Sequence, residues 1–410
     1  MADLTLVDPA SVGLCADRLT RIDTHFARYV DDGRLSGYSA LVARKGQVAH
    51  LSSYGQADIE AGRPVAADTL WRIYSMTKPV TSVAAMMLWE QGAFELTDPV
   101  SKFLPSFADM RVYDGGTAAK PLTVPATEPV RMWHLFTHCS GLTYGFHHMH
   151  VVDEMYRQAG YEWDVPDDTD LAAAVDAWAQ LPLLFQPGAE WNYGVSTDVL
   201  GRVVEVLSGR PLDAFLEENI FSPLGMTDTG FAVEPERQDR LAALYAMAPG
   251  LPDKVRYDAM GDAVRNEPRW LSGGGGLVST VADYRRFTSM LLGGGEVDGV
   301  RLLGPRTVAY MAKNHLPGGQ DLETFGRRIF SEVRFDGVGF GLGFAVVHDP
   351  VSFRTLTSAG EFNWGGAAST AFYIDPVEEL EVIFMTQLLP SSTYPLRSQL
   401  RQLVGQAIIE

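Results

Sequence analysis

The chain reads as α/β plus all-α: an antiparallel sheet flanked by helices, with a helical domain inserted into it. Three observations predict this class. Strand signals gather near the two ends of the sequence, helical periodicities fill the middle, and one almost continuously apolar helix follows residue 75. At 410 residues the length corresponds to roughly two or three domain-sized units.

Taken in order, residues 16–30 carry a helical pattern, and residues 41–51 form a hairpin with Lys45-Gly46 at its turn and apolar runs on both arms. Residues 68–74 read as a short extended lead-in. Residues 79–92 then read as an apolar helix closed by Gly92, since Pro79 fits only a helix's first turn. Its apolar residues run almost unbroken from Val83 to Trp89, which predicts burial on most sides. The middle, roughly residues 98–268, shows helical patterns at 170–180 and 197–208 between loops containing proline and glycine. Residues 339–347, 368–374 and 380–386 read as three further strands, and residues 394–409 as a closing helix. The expected organisation is one α/β domain from residues 1–97 and 269–410 and a helical domain from 98–268, with a ligand cleft between them.

A formal charge of -18 and a pI near 4.9 argue against nucleic acid and anionic membranes as partners, because either needs a basic face. Small neutral or cationic substrates remain open. The first residues lack the basic start and long apolar core of an export signal, and no apolar run reaches membrane-spanning length, so a cytoplasmic protein is expected. Cys15 and Cys139 give no disulfide framework and read as reduced thiols, with Cys139 as a nucleophile the sharper alternative.

Ser75-Met76-Thr77-Lys78 carries the chemistry. The spacing puts a hydroxyl and an amine on one helical face. A serine hydroxyl is a poor nucleophile at neutral pH unless a neighbour takes its proton, and a lysine amine can do so once burial and nearby cations lower its pKa. Ser75 is therefore the candidate nucleophile and Lys78 its base. A serine at a helix start also meets the positive end of the helix dipole, where an oxyanion is stabilised. The S-x-x-K pattern is weak by itself, but the G-x-S-x-G elbow that would supply a competing nucleophilic serine is absent.

Other motifs carry less. Gly273 to Gly276 resemble a phosphate loop, yet no Lys-Ser or Lys-Thr follows, so a tight turn is expected. His134 and His138 have the spacing of a zinc-protease helix, but Leu135 stands where its glutamate belongs. His147, His148 and His150 have no carboxylate or cysteine at trustworthy ligand spacing and read as a loop rimming the cleft, so no metal or cofactor is expected. Tyr144, Phe146, Tyr156, Trp163 and Trp178 read as the core of the helical insert or, for some of them, as walls of the substrate cleft; periodicity does not separate the two, and none is assigned a binding role.

Three segments in order, Ser75-x-x-Lys78, Trp191-Asn192-Tyr193-Gly194-Val195 and Asn363-Trp364-Gly365-Gly366-Ala367, resemble the serine β-lactamase and penicillin-binding-protein superfamily. Two further stretches, residues 135–142 and 274–284, support the likeness, which spans roughly residues 15–390. Within it the chain is most similar to the family VIII carboxylesterases, class C β-lactamase-like esterases that carry W-x-G in place of K-T-G. The resemblance implies a β-lactamase-like fold, acylation of Ser75, and Lys78 and Tyr193 as its proton-shuttling partners. It leaves open which of the two takes the proton, since coupled groups titrate as a pair. It also implies an oxyanion hole from the backbone N–H groups of Ser75 and Ala367, with Trp364, Gly365 and Gly366 beside the substrate.

Two departures from the lactamase pattern bear on substrate. Trp364 replaces a lysine that would meet a substrate carboxylate, and Val195 replaces an asparagine that would donate to a substrate amide. Both favour small carboxylic esters over β-lactams. The expected function is a serine carboxylesterase working through an acyl-enzyme on Ser75, without a cofactor. The alternatives are a β-lactamase or D-Ala-D-Ala peptidase, an acyltransferase to an alcohol or amine, and, least supported by an intact Ser75, Lys78 and Tyr193, a binding module that only retains the fold.

Overall fold

Alternation of buried side chains sets the sheet. In the computed structural model, which describes residues 4–247, 250, 253–327 and 334–410, strand β1 (Gly37–Arg44) turns through Lys45-Gly46 into β2 (Gln47–Asp58) as the sequence predicts. Both turn residues have positive φ, 52° and 74°, which suits the right-handed twist of the flanking strands. β3 (Arg63–Pro64) pairs with β2 at one edge. From the far end of the chain come β4 (Val338–Phe340), β5 (Ala345–Val347), β6 (Phe362–Gly365), β7 (Ala371–Asp375) and β8 (Leu380–Met385).

Among the described residues these make an eight-stranded antiparallel sheet ordered β4-β5-β6-β7-β8-β1-β2-β3. The β1–β8 ladder, from Ser39 opposite Met385 to Arg44 opposite Leu380, joins the two ends of the sequence. Leu41 and its partner Ile383 enter one core layer, whereas Val42 and Val382, one residue along, enter the other.

Helices close both faces: α1 (Ala16–Asp31), α2 (Thr77–Glu90), α3 (Ser196–Ser208), α4 (Val281–Leu292) and α5 (Leu396–Gly405). Leu19, Ile22 and Phe26 of α1, spaced three and four apart, pack with Leu400 and Val404 of α5 and with Phe384 on one face. On the other face α2 is buried along nearly its whole length, as its apolar run predicts, with Val80, Val83, Ala84 and Met86 inaccessible to solvent. Each valine or methionine buried this way contributes about 1.5–3 kcal/mol. Packing of α2 against α3 holds the middle of the chain to the sheet.

Several elements differ from expectation. The run read as one strand at 339–347 is two, β4 and β5, reversed through Gly341-Leu342-Gly343. Gly343 has φ +108°, and a Cβ there would lie 2.2 Å from Ser82 Oγ of α2, so only glycine lets the turn sit against that helix. The strand expected from Ala368 starts at Ala371, because residues 366–370 form a turn in which Gly366 N–H donates to Thr370 O and Ser369 has φ +68°. β6, interrupted in sequence by glycines, had no strand signal. Residues 98–268 contain a hairpin (Arg111–Thr117 with Lys120–Pro125) and a short strand, Tyr245–Met247, that pairs with Leu388–Leu389, so this segment is not purely helical. No helix among the described residues is long and apolar enough to cross a membrane.

His134 is buried, its Nδ1 accepting the Arg131 N–H, and burial pulls its pKa down to about 3. His147 is drawn down to about 4, also chiefly by burial. Both stay neutral in the folded protein while the unfolded chain protonates near pH 6.5, so stability is complete above that pH and is lost as pH falls toward the folded values. Each histidine costs about 1.4 kcal/mol per pH unit in this window. The urea midpoint, measured at pH 7, 6 and 5, is expected to fall steadily, and His134→Gln to flatten the fall.

Candidate active site

Ser75 lies on a single 3₁₀ turn, Tyr74–Met76, that feeds directly into α2. Tyr74 before it has φ +43°, an uncommon backbone for a bulky residue. The surroundings hold the turn in place. Trp71–Arg72 pairs with Val278–Ser279, Ile73 N–H donates to Leu277 O, and Tyr284 OH donates to Met76 O at 3.0 Å.

One turn on, Lys78 is buried, with 1% of its surface exposed. Its Nζ donates to Ser75 Oγ at 3.2 Å, Tyr144 OH at 3.1 Å and Gly274 O at 2.6 Å. Nζ therefore has three polar partners and needs no water. The glycine run is the turn the sequence predicts, and it also walls the site. Gly273 O accepts from Thr81 Oγ1 at 2.7 Å, and Gly274 N–H donates to Asp198 Oδ1 at 3.1 Å. A Cβ on Gly274 would lie 2.4 Å from Asp198 Oδ2, which requires glycine there.

Asp198, on α3, also accepts from Ser272 Oγ at 2.6 Å. Burial raises its carboxyl above the usual range, opposed by the charge of Lys78. Tyr144 is pushed well above the ordinary phenol range, first by burial and then by Asp198 and Tyr193, so it keeps its proton while accepting from Lys78. Sequence reasoning missed both residues. Tyr144 was indistinguishable from Tyr156 and Trp178, which are indeed core. For Asp198 the available signal was a lone carboxylate among Val195, Val199, Leu200, Val203 and Val204, all buried.

Tyr193 lies beside Lys78, but the contact differs from the expected phenol–amine bond. Lys78 Nζ stands 4.5 Å from the centre of the Tyr193 ring, and the Tyr193 hydroxyl accepts a hydrogen bond from Trp364 Nε1 at 3.2 Å. Packing fixes this orientation: the ring stacks on Trp191 at 6.1 Å and leans on His138 at 4.9 Å. Burial and the nearby Lys78 hold His138 well below its usual pKa, and its Nδ1 accepts from Gly194 N–H at 3.4 Å. Val195, the second departure in this segment, is buried at the start of α3.

The Trp364 to Ala367 segment is drawn onto the Ser75 turn by its glycines. At Gly366 a Cβ would fall 2.4 Å from Ile73 O and 2.2 Å from Thr370 Oγ1, so the backbones meet closely only because no side chain intervenes. Trp364 is both core and wall, 8% exposed and edge-on to Phe340 at 5.2 Å. The segment is not without a cation, since Arg397 Nη2 donates to Gly366 O at 2.9 Å. Ser75, Tyr193, Trp364, Gly365, Gly366 and Ala367 all line one cavity of about 400 Å³.

The remaining sequence candidates fall outside it. Cys139 is buried, its thiol pushed up to about 12, which suits a core residue rather than a nucleophile. His150 caps a short helix by accepting from Val152 N–H, and among the described residues no group of three His, Cys, Asp or Glu is arranged to hold a metal.

A serine hydroxyl in contact with a buried amine, at the foot of an apolar cleft, is the equipment of a nucleophilic serine hydrolase. The family model described as Beta-lactamase matches residues 22–406, and the chain belongs to that family. It is 38% identical over 363 residues to an uncharacterised protein of Mycobacterium tuberculosis, covering 88% of each chain. It is 33% identical over 402 residues to Esterase EstB of Burkholderia gladioli, covering 93% of each. Among solved structures it is similar to EstCE1, described as a hydrolase with promiscuous acyltransferase activity, at 26% identity and a TM-score of 0.78, covering 98% of this chain and 99% of that one.

Gly366→Ala tests the close approach of the two backbones. The displaced segment is expected to lower kcat/KM for a small ester about 100-fold, the cost of misplacing a reacting geometry by roughly 1 Å, and to lower the thermal midpoint, since overpacking of this kind costs about 1–3 kcal/mol.

Proposed function

We propose that the protein is a serine carboxylesterase that hydrolyses small carboxylic esters through an acyl-enzyme on Ser75. One observation carries this reading: Ser75 Oγ lies 3.2 Å from the buried Lys78 Nζ at the floor of an apolar cavity. In the reactive form one of Lys78 and Tyr193 is without its proton, and Ser75 Oγ attacks the ester carbonyl as its proton passes to that group. The oxyanion is held by the backbone N–H groups of Ser75 and Ala367. Collapse expels the alcohol, which takes that proton, and leaves the acyl group on Ser75. Water then attacks the acyl carbon, and the same groups return its proton to Ser75 as the carboxylic acid departs.

Two phenols stand at the amine. Tyr193 is the shuttle to the leaving alcohol, because its hydroxyl, accepting from Trp364 Nε1, is not held by a bond to the amine and can exchange a proton within the cleft. Tyr144 holds Lys78 in place. With residues 1–97 and 269–410 as one unit and 98–268 as the other, Ser75, Lys78 and Trp364 come from the first and Tyr144 and Tyr193 from the second, so the cleft lies between them. The loss of the lysine and the asparagine at Trp364 and Val195 argues against β-lactam or D-Ala-D-Ala substrates. Acyl transfer to an alcohol is a second reading, supported by the apolar cleft, which favours an organic acceptor over water.

Intact-protein mass after mixing with a serine-reactive phosphonate is expected to show one adduct. In Ser75→Ala both the adduct and turnover of p-nitrophenyl acetate should be lost, with the thermal midpoint retained. Ester hydrolysis unchanged in that variant would end the mechanism. Tyr193→Phe is expected to lower kcat by roughly 10²- to 10⁴-fold, the range for a lost general acid–base, and Tyr144→Phe by about tenfold, both read from the burst and steady phases of p-nitrophenol release.

A further inference from the structure

Three aromatic rings form a continuous stack from the mouth of the cavity to the catalytic amine. Trp163, 42% exposed, lies flat on Phe146 with centroids 4.0 Å apart and planes within 9°. Phe146 lies on Tyr144 at 4.6 Å and 18°, and the Tyr144 hydroxyl meets Lys78. All three rings line the cavity that holds Ser75. The same cavity is also lined by Tyr257, itself 40% exposed, and by Met260 and Val264. Two large aromatic side chains left open to solvent on the rim of an active-site cavity mark a place where apolar surface is covered when a ligand binds.

We propose that Trp163 is a specificity residue, and that the preferred substrates of this enzyme carry a flat apolar ring that docks at Trp163 while the ester carbonyl reaches Ser75. The inference rests on the esterase reading and adds the substrate class to it. A ring gains more than an open chain here, because aromatic pairs in offset or edge-to-face contact attract beyond the area they bury. Phe146 and Tyr144 behind the indole give it a fixed platform, so little ordering is needed when the ring arrives.

The test is a ratio of kcat/KM values measured on one enzyme preparation: 2-naphthyl acetate over vinyl acetate for a ring in the alcohol, and vinyl 2-naphthoate over vinyl acetate for a ring in the acid. In the unsubstituted enzyme at least one ratio is expected to exceed ten. Trp163→Ala should lower that ratio about tenfold, through KM, and Trp163→Phe, which keeps a ring, less than threefold. Should Trp163→Ala not fold, Trp163→Leu is read in the same way. Equal losses on ring and open esters would assign Trp163 a merely structural part and overturn the proposal, as would an unsubstituted enzyme that turns over vinyl acetate but shows no ring preference. An enzyme that turns over none of the three esters would instead fail the esterase reading itself.

Discussion

The site depends on the three polar partners of one buried lysine amine. Lys78 comes from α2, and its acceptors come from three other places: the turn before that helix, the loop at Tyr144 and the glycine run at 274. A lysine with 1% of its surface exposed is tolerable only if its donors are met, since an unpaired buried charge is expensive. That requirement fixes where the loop and the glycine run must lie, and with them the floor of the cleft. The glycine at 274 lets Asp198 approach, and the glycine at 366 lets the segment after β6 close on the Ser75 turn. Small residues at these points are thus part of the charge arrangement and not merely of chain flexibility.

Periodicity and turn chemistry made much of this architecture legible. α1, the β1–β2 hairpin, α2, α3 and the closing helix lie where the spacing of apolar residues put them, because each presents its apolar residues to a core with a regular repeat. What was misread broke that rule. Gly341-Leu342-Gly343 sits inside an apolar run, and its reversal depends on how closely α2 approaches. β6 is only four residues long and includes Trp364-Gly365, so its strand character comes from its neighbours.

In the site, Ser75 and Lys78 were readable because local spacing places them together on one face. Tyr193, Trp364, Gly366 and Ala367 came from resemblance, since no spacing rule connects residues so far apart. Tyr144 could not be separated from core aromatics by any pattern, because its role is set by the direction of a hydroxyl in three dimensions. The hydrogen bond from Trp364 to Tyr193 belongs to the same class. It gives the tryptophan a polar role alongside the steric one, and a ring and its N–H carry separate information that sequence cannot divide.

The ladder between β1 and β8 has a consequence for synthesis. Ser39 pairs with Met385, so the centre of the sheet, on which α2 and the Ser75 turn rest, cannot form until residues 380–385 have been made. Until then α2 can pack against α3 but its sheet-facing side lacks the layer that covers it in the finished fold. Such long-range pairing slows folding and lengthens exposure to aggregation. The same connectivity bears on incomplete chains: a product truncated before residue 380 holds both Ser75 and Lys78 yet lacks the strand that pairs with β1 and β7.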